Sequence, residues 1–259
     1  MYQALGTMTL RSGEQVELGV VRAPDLEWRD RILPLLAHKG VYWRWQNVEF
    51  LTVDVGIDAS FFICHRDGQP FANVMTALYA GVGILGHVYT YPEDRGAGAA
   101  SLLVGAAIDD FKARGGQALF LETGYGSTAY RIYERYGFHS LEPMSASMEF
   151  YTASKGEFEQ TYFAQGAASF QMLDWRHYPA SQALFAGDFP GHVRCAALQL
   201  VGRLSNDEYI IPLLAEELSA ETEHRARVLM SDSSGAVVGF GLWSRHPFWP
   251  DSGLIDLYA

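Results

Sequence analysis

Residues 88–101 read Val-Tyr-Thr-Tyr-Pro-Glu-Asp-Arg-Gly-Ala-Gly-Ala-Ala-Ser, and Leu102, Leu103 and Val104 continue the run. A strand that stops at Pro92, a loop carrying Gly96 and Gly98, and the start of a helix follow one another without a gap. That order commits the middle of the chain to strands and helices in one layered unit. Small residues at 96–100 leave backbone N–H groups bare, and the helix adds the positive end of its dipole, a combination that binds a pyrophosphate. Glycine and alanine loops also make ordinary tight connections, so the stretch alone leaves both readings open.

The flanking pattern supplies the rest of the layer. Residues 15–23 alternate as a strand, and Leu26 to His38 carries apolar residues at helical spacing, with Pro34 kinking or breaking the helix. Val41 to Thr52 reads as a second helix, whose Trp43, Trp45 and Phe50 suit either a core or the wall of a cleft. Apolar runs at 60–66 and 70–80 flank Arg66-Asp67-Gly68-Gln69, a hairpin signal, and a third strand covers 83–91. After the glycine loop come a helix over about 99–114, a strand at Ala118–Thr123, a helix near 128–136 and a turn at Gly137. The expected class is mixed α/β, a sheet flanked by helices. Gly81-Val82-Gly83-Ile84-Leu85-Gly86 matches a dinucleotide fingerprint, but that fingerprint must open a helix. Here it runs into strand-like residues closed by Pro92, so a nicotinamide cofactor is not expected.

Tyr151 to Gly166 is polar and marks the boundary between residues 1–150 and 151–259. Beyond it the pattern partly restarts. Strands are expected at Ser169–Asp174 and His192–Val201, a short helix at Tyr178–Ala186, and an amphipathic helix at Asp207–Leu218. A second hairpin follows from Arg227–Met230 through Ser231–Gly235 to Val237–Ser244, and Leu254–Ala259 ends the chain as a strand. Laid over the first half, Ser234-Gly235 matches Asp67-Gly68, and Leu254–Ala259 matches Leu85–Thr90. The second half therefore reads as a truncated repeat that ends before any phosphate loop. An unpaired strand at 254–259 needs covering.

Composition narrows the partners. A net charge of −11 argues against nucleic acid, which wants a basic face. It either favours a cationic amine as substrate or merely keeps the protein in solution. No apolar run is long enough to span a membrane, and Met1-Tyr2-Gln3-Ala4 lacks the pattern of a secretion signal. Two distant cysteines, Cys64 and Cys195, exclude a disulfide framework and fit a reducing cytoplasm. The histidines are scattered, with no metal-ligand spacing, so no metal is expected.

A second block lifts the glycine loop above its neutral alternative. Residues 129–138 read Ala-Tyr-Arg-Ile-Tyr-Glu-Arg-Tyr-Gly-Phe. With Arg95-x-x-Gly98-x-Ala100, this block resembles the GNAT superfamily of acyl-CoA-dependent N-acetyltransferases over about residues 15–150. The resemblance implies a splayed mixed sheet, acetyl-CoA as co-substrate, and the backbone of Val88, Tyr89 and Thr90 pairing with the pantetheine arm. It also implies that Arg95, Gly96, Ala97, Gly98, Ala99, Ala100 and Ser101 take the pyrophosphate, and that Tyr133 protonates the departing thiolate. A primary amine, on a small molecule or a peptide, would attack directly in a ternary complex. Tyr133 otherwise reads as a packed aromatic beside Tyr130 and Tyr136.

Two departures qualify the match: the family's asparagine is Gly126 here, and the acid that some members use as base is Ile84. His87 and Glu122 are the substitutes to weigh, beside a water chain. The second lobe is expected to be non-catalytic, and either shapes the acceptor cleft or supplies a sheet edge for a homodimer. The alternative from another class is a protein that holds acyl-CoA as a sensor or scaffold.

Overall fold

In the computed structural model, which describes residues 1–219, 224–246 and 248–259, the chain forms two compact units. The first comprises residues 1–78, 84–116 and 126–138, and the second residues 79–83, 117–125 and 139–259. The class is mixed α/β, as expected, with a sheet flanked by helices and further sheet and helix elements. No helix of the described residues is long and apolar enough to cross a membrane.

The first unit opens with β1 (Tyr2–Thr9), antiparallel to β2 (Gln15–Arg22). β1 is an exposed edge with no apolar alternation, which is why the sequence gives no sign of it. Asp25 caps α1 (Leu26–Ile32), its carboxylate accepting from the Trp28 amide at 3.1 Å. The helix ends at Ile32, short of the expected His38, because Pro34 brings no N–H to the next helical bond. α2 (Val41–Thr52) then turns Gln46, Asn47, Phe50 and Leu51 inward.

Two tight hairpins make the next three strands. Asp67 and Gly68, with φ of 47° and 75°, join β3 (Asp58–Arg66) to β4 (Gln69–Tyr79). Ala80 and Gly81, at 49° and 78°, join β4 to β5 (Val82–Thr90). Positive φ at both turn residues matches the twist of the flanking strands. The fingerprint-like Gly81–Gly86 is thus a hairpin turn and a strand start, and no helix follows it.

β3 and β4 are buried along nearly their whole length, and β2 from Leu18 to Val21, so both faces of the sheet are covered there. Phe61, Phe62, Ile63, Val74 and Met75 are completely enclosed. Each such side chain contributes about 1.5–3 kcal/mol of hydrophobic stabilisation. α3 (Ala99–Ala113) presses Leu103, Val104, Ala107, Ile108 and Phe111 inward and packs on β3. α4 (Thr128–Arg135), capped by the Ser127 hydroxyl, lies against α3. The contact is close at Tyr136, whose hydroxyl donates to the Ser101 carbonyl at 2.6 Å.

In the second unit, β6 (Ala118–Glu122) and β7 (His139–Ser140) flank β8 (Ser147–Tyr151) as antiparallel neighbours. The polar stretch Tyr151–Gly166 holds α5 (Lys155–Tyr162), started by a capping box between Ser154 and Glu157. Its Phe158 and Tyr162 stack at 4.9 Å and join Phe120, Leu141, Ala183 and Ala236 in this unit's core. Beneath, the buried Glu149 carboxylate accepts from Lys155 Nζ at 3.0 Å and from the Tyr151 hydroxyl at 2.8 Å.

β9 (Ala168–Met172) leads to α6 (His177–Ala180) and α7 (Gln182–Ala186), two short turns where one helix is expected. The expected strand His192–Val201 is a small hairpin of β10 (Val193–Cys195) and β11 (Leu200–Val201). Its turn is pulled aside by the Asp256 carboxylate, which accepts from the Ala196 and Ala197 amides at 3.0 Å each. After α8 (Asp207–Ser219), β12 (Ala226–Ser231), β13 (Val237–Arg245) and β14 (Gly253–Tyr258) complete an antiparallel sheet of order β14-β13-β12-β9. β14 pairs with β13 on one side, and the β10–β11 hairpin stands against its other edge, so the strand is covered.

A Cβ on Gly105 would lie 2.9 Å from the Tyr136 hydroxyl and 3.0 Å from its ring. Gly105→Ala is expected to lower the unfolding free energy by about 1–3 kcal/mol in urea titration. Combined with Tyr136→Ala, the substitution should cost clearly less than the sum of the two single changes.

Candidate functional site

β5 ends at Thr90 because the next residues leave the sheet. The Tyr91 amide donates to the Phe71 carbonyl at 3.0 Å, and Pro92–Asp94 makes one tight turn. Gly96 and Gly98 then take φ of 80° and 98°, values that favour glycine, and no side-chain bond caps α3 at Gly98. The first intrahelical bond is that of Leu102 N–H to the Gly98 carbonyl at 3.2 Å. The N–H groups of the first turn therefore have no partner within the helix, and they carry its positive dipole end.

These groups border a cavity of about 520 Å³ in the first unit. Val88, Tyr89 and Thr90 line it from β5, Arg95, Gly96, Gly98, Ala99, Ala100 and Ser101 from the loop and α3, and Tyr133 from α4. Of the residues expected from sequence, only Ala97 is not among the lining; its carbonyl accepts from the Arg11 amide at 2.9 Å. Arg95 folds back, donating from Nε to the Thr90 carbonyl at 3.1 Å, with its guanidinium 5.6 Å from the Tyr89 ring centre. That bond already occupies one of the main-chain groups expected to pair with a ligand arm.

Residues that sequence reasoning missed complete the wall: Arg11 from the β1–β2 turn, and Asp94, Thr128, Ala129, Ile132 and Arg135. Arg11 was invisible because nothing in the sequence links it to the loop; its side chain lies 3.6 Å from where a Gly98 Cβ would stand. Asp94 is paired with Arg66 at 2.7 Å, which leaves Arg11, Arg95 and Arg135 to set the sign of the rim. A cationic rim in a chain of net charge −11 is a local arrangement that suits an anionic ligand.

Tyr133 is 5% exposed, and burial raises its phenol above the ordinary tyrosine range. The hydroxyl is accordingly protonated across the neutral range and able to donate a proton or a hydrogen bond. Its ring stands edge-on to Phe138 at 5.9 Å, beside the turn at Gly137.

His87 is no general base. Its Nδ1 accepts from the Asn47 amide at 3.1 Å, and its Nε2–H donates to the Gln46 carbonyl oxygen at 3.0 Å. The ring's one lone pair is occupied, and burial pushes its pKa down to about 3, with Lys39 and His38 adding to the effect. Its φ is 53°, a left-handed bend within β5 just before Val88, secured by Asn73 donating to the His87 carbonyl at 3.0 Å. Glu122 ends β6 in the second unit, its carboxyl raised first by desolvation and then by Glu208. Ile84, where the resemblance would have an acid, is 1% exposed. Among the described residues no group of three or more His, Cys, Asp or Glu side chains is disposed to hold a metal.

The model of the acetyltransferase (GNAT) family matches residues 25–138. No curated protein matches the chain in sequence. Among solved structures, the chain is similar to the GNAT domain of S. lividans PAT, with 14% identity over 56% of this chain and 96% of that one, TM-score 0.42. It is similar to an acyl-CoA N-acyltransferase from Pseudomonas aeruginosa, with 22% identity over 53% and 99%, TM-score 0.41. A GNAT family acetyltransferase from Brucella melitensis in complex with acetyl-CoA gives 14% identity over 53% and 89%, TM-score 0.38.

The histidine network has a pH consequence. His87 takes up a proton in the unfolded chain below about pH 6.5, the ordinary histidine value, and in the folded chain only near pH 3. Its contribution to stability is present above pH 6.5 and is lost progressively as pH falls toward 3. Imidazole nitrogen NMR should show a neutral Nε2–H ring at pH 5, and a ring protonated there would contradict the network.

Proposed function

Residues 25–138 belong to the acetyltransferase (GNAT) family, and on that premise we propose that the protein moves an acetyl or short acyl group from acyl-CoA to a primary amine. The reading is carried by one observation: uncapped N–H groups at the start of α3, a cationic rim and a buried tyrosine hydroxyl border the same cavity. A bound acyl-CoA supplies a thioester, activated toward attack by an amine.

This chain's residues would do the rest. Gly96 and Gly98 keep side chains off the loop, and a Cβ at Gly96 would meet nothing within 4 Å, so phosphate oxygens have room to approach. Amides at 95–101 donate to those oxygens, with Arg95 and Arg11 adding charge-assisted bonds. The Val88–Thr90 backbone orients the pantetheine arm, and an N–H near Thr90 holds the charge that develops on the acyl oxygen. Tyr133 donates its proton to the departing sulfur. The acceptor amine, free or on a peptide, loses its proton to water rather than to His87.

The second unit, in this reading, is a partial lobe of the same kind without catalysis of its own. Its strand order β9-β12-β13-β14 follows that of β2-β3-β4-β5, with a glycine turn at Gly235 where the first lobe has Gly68. A non-catalytic acyl-CoA sensor is the second reading. It is favoured by the enclosed neutral His87 and by Ile84 in place of an acid.

Calorimetry with CoA and CoA-release assays over a panel of amines separate the two. Gly98→Asp sets a carboxylate at a left-handed position on the loop, and Arg95→Glu reverses the rim charge. Each should weaken CoA binding at least ~100-fold, the cost of about two lost charge-assisted bonds. Retained affinity in both would sink the proposal. Tyr133→Phe should leave affinity intact and lower turnover by about 100-fold or more. Tight binding by the wild type without turnover on any amine would favour the sensor.

A further inference from the structure

The wall of the cavity contains an acid where an anion would bind. Asp94 lines it beside Gly96 and Gly98, and the side chain keeps only 14% of its surface in water. An unpaired carboxylate there would repel a phosphate brought to the α3 amides. Its partner is Arg66, the last residue of β3, whose Nη2 donates to Asp94 Oδ1 at 2.7 Å. Arg66 itself is not among the residues that line the cavity. Its influence on a ligand therefore runs through the groups it holds.

The same guanidinium holds a second segment. Nε and Nη2 donate to the two oxygens of Glu14, at 2.7 and 3.0 Å. The guanidinium stands 4.1 Å over the centre of the buried Phe71 ring, and the Phe71 carbonyl takes the Tyr91 amide. Glu14 in turn closes the β1–β2 turn, its carbonyl accepting from the Leu10 amide at 2.8 Å. Arg11 follows Leu10; its amide donates to the Ala97 carbonyl, and its side chain lies against Gly98. One side chain thus joins the turn that carries Arg11 to the turn that carries Asp94.

We propose that Arg66 is a positioning residue for phosphates bound at this loop: it cancels the charge of Asp94 in the cavity wall and fixes the turn that sets Arg11 against Gly98. For acyl-CoA as the source of those phosphates, the inference rests on the function proposed above. The two acids differ in what they need from Arg66. Glu14 is 42% exposed, and water and salt screen it. Asp94 is largely enclosed, so its charge must be met by a partner. With both acids bonded to Arg66, the charges of Arg11, Arg95 and Arg135 remain for the ligand.

A double-mutant cycle read by calorimetry with CoA tests this. Arg66→Gln should weaken CoA binding at least ~10-fold, the effect of one like charge left in the wall. In an Asp94→Asn background the same change should weaken it no more than about 3-fold, the share of a loosened surface pair. The deficit of Arg66→Gln should also narrow as sodium chloride is raised, since salt screens a repulsion and leaves a packing fault as it is. Wild-type affinity in Arg66→Gln overturns the proposal, and so does an equal loss in both backgrounds or a deficit indifferent to salt. Should circular dichroism show Arg66→Gln unfolded, Arg66→Met takes its place in the cycle, keeping an unbranched stem over Phe71 without the charge. A wild type that binds no CoA defeats the acyl-CoA reading by itself. The cycle is then run with inorganic pyrophosphate, where the same coupling upholds the role of Arg66, and absent coupling or absent binding overturns it.

Discussion

The connection between Thr90 and Ala99 is held in one shape by four polar contacts, and the site depends on them. The Thr90 carbonyl is taken by Arg95, the Tyr91 amide by Phe71, Asp94 by Arg66, and the Ala97 carbonyl by Arg11. Every buried or half-buried polar group must find a partner somewhere. With these groups taken, the donors that remain are the amides at the start of α3. A loop of this composition that floated free would offer the same amides in many directions; the four tethers leave one.

Upstream, His87 shows how the strand is bent to reach that loop. A left-handed φ in a residue other than glycine costs about 1–2 kcal/mol, and a buried imidazole costs more unless both nitrogens are bonded. Gln46 and Asn47 supply those bonds to the ring, and Asn73 holds the His87 carbonyl. The ring is a fixed neutral strut between β5 and α2, and the bend it secures precedes Val88, the first lining residue. A histidine that looks chemically eligible in sequence is thus used for shape.

The two units share turn chemistry and strand order but are covered differently. α3 lies against β3 in the first, whose strands are accordingly apolar at successive positions. In the second, β14 alternates Leu254, Ile255, Asp256, Leu257 and Tyr258, and only Tyr258 is buried. Asp256 is polar because it organises the β10–β11 turn, and Ile255 and Leu257 are apolar with nothing of the described chain above them. Local patterning of this kind sets where a strand forms, and whether its second face is covered is decided by elements far away in sequence.

Much of the layout was legible from residue order alone. Period and punctuation located α2, α3, α4, both β3–β4 and β12–β13 hairpins, and the strand ending at Thr90, since each rests on neighbours within a few positions. The glycine loop and Tyr133 were legible as one group because their spacing is a property of the chain itself. What the tertiary structure decided is what depends on residues that meet only after folding. Arg11 joins the loop from the opposite end of the domain, and the side-chain amides of Asn47 and Gln46 turn His87 from a candidate base into a strut. β1, exposed and without alternation, exists only because β2 offers it an edge. Asp256, a lone acid in an apolar strand, bends a hairpin some sixty positions earlier. Distance along the chain carries no periodic signal, so contacts of this kind leave no trace in one sequence.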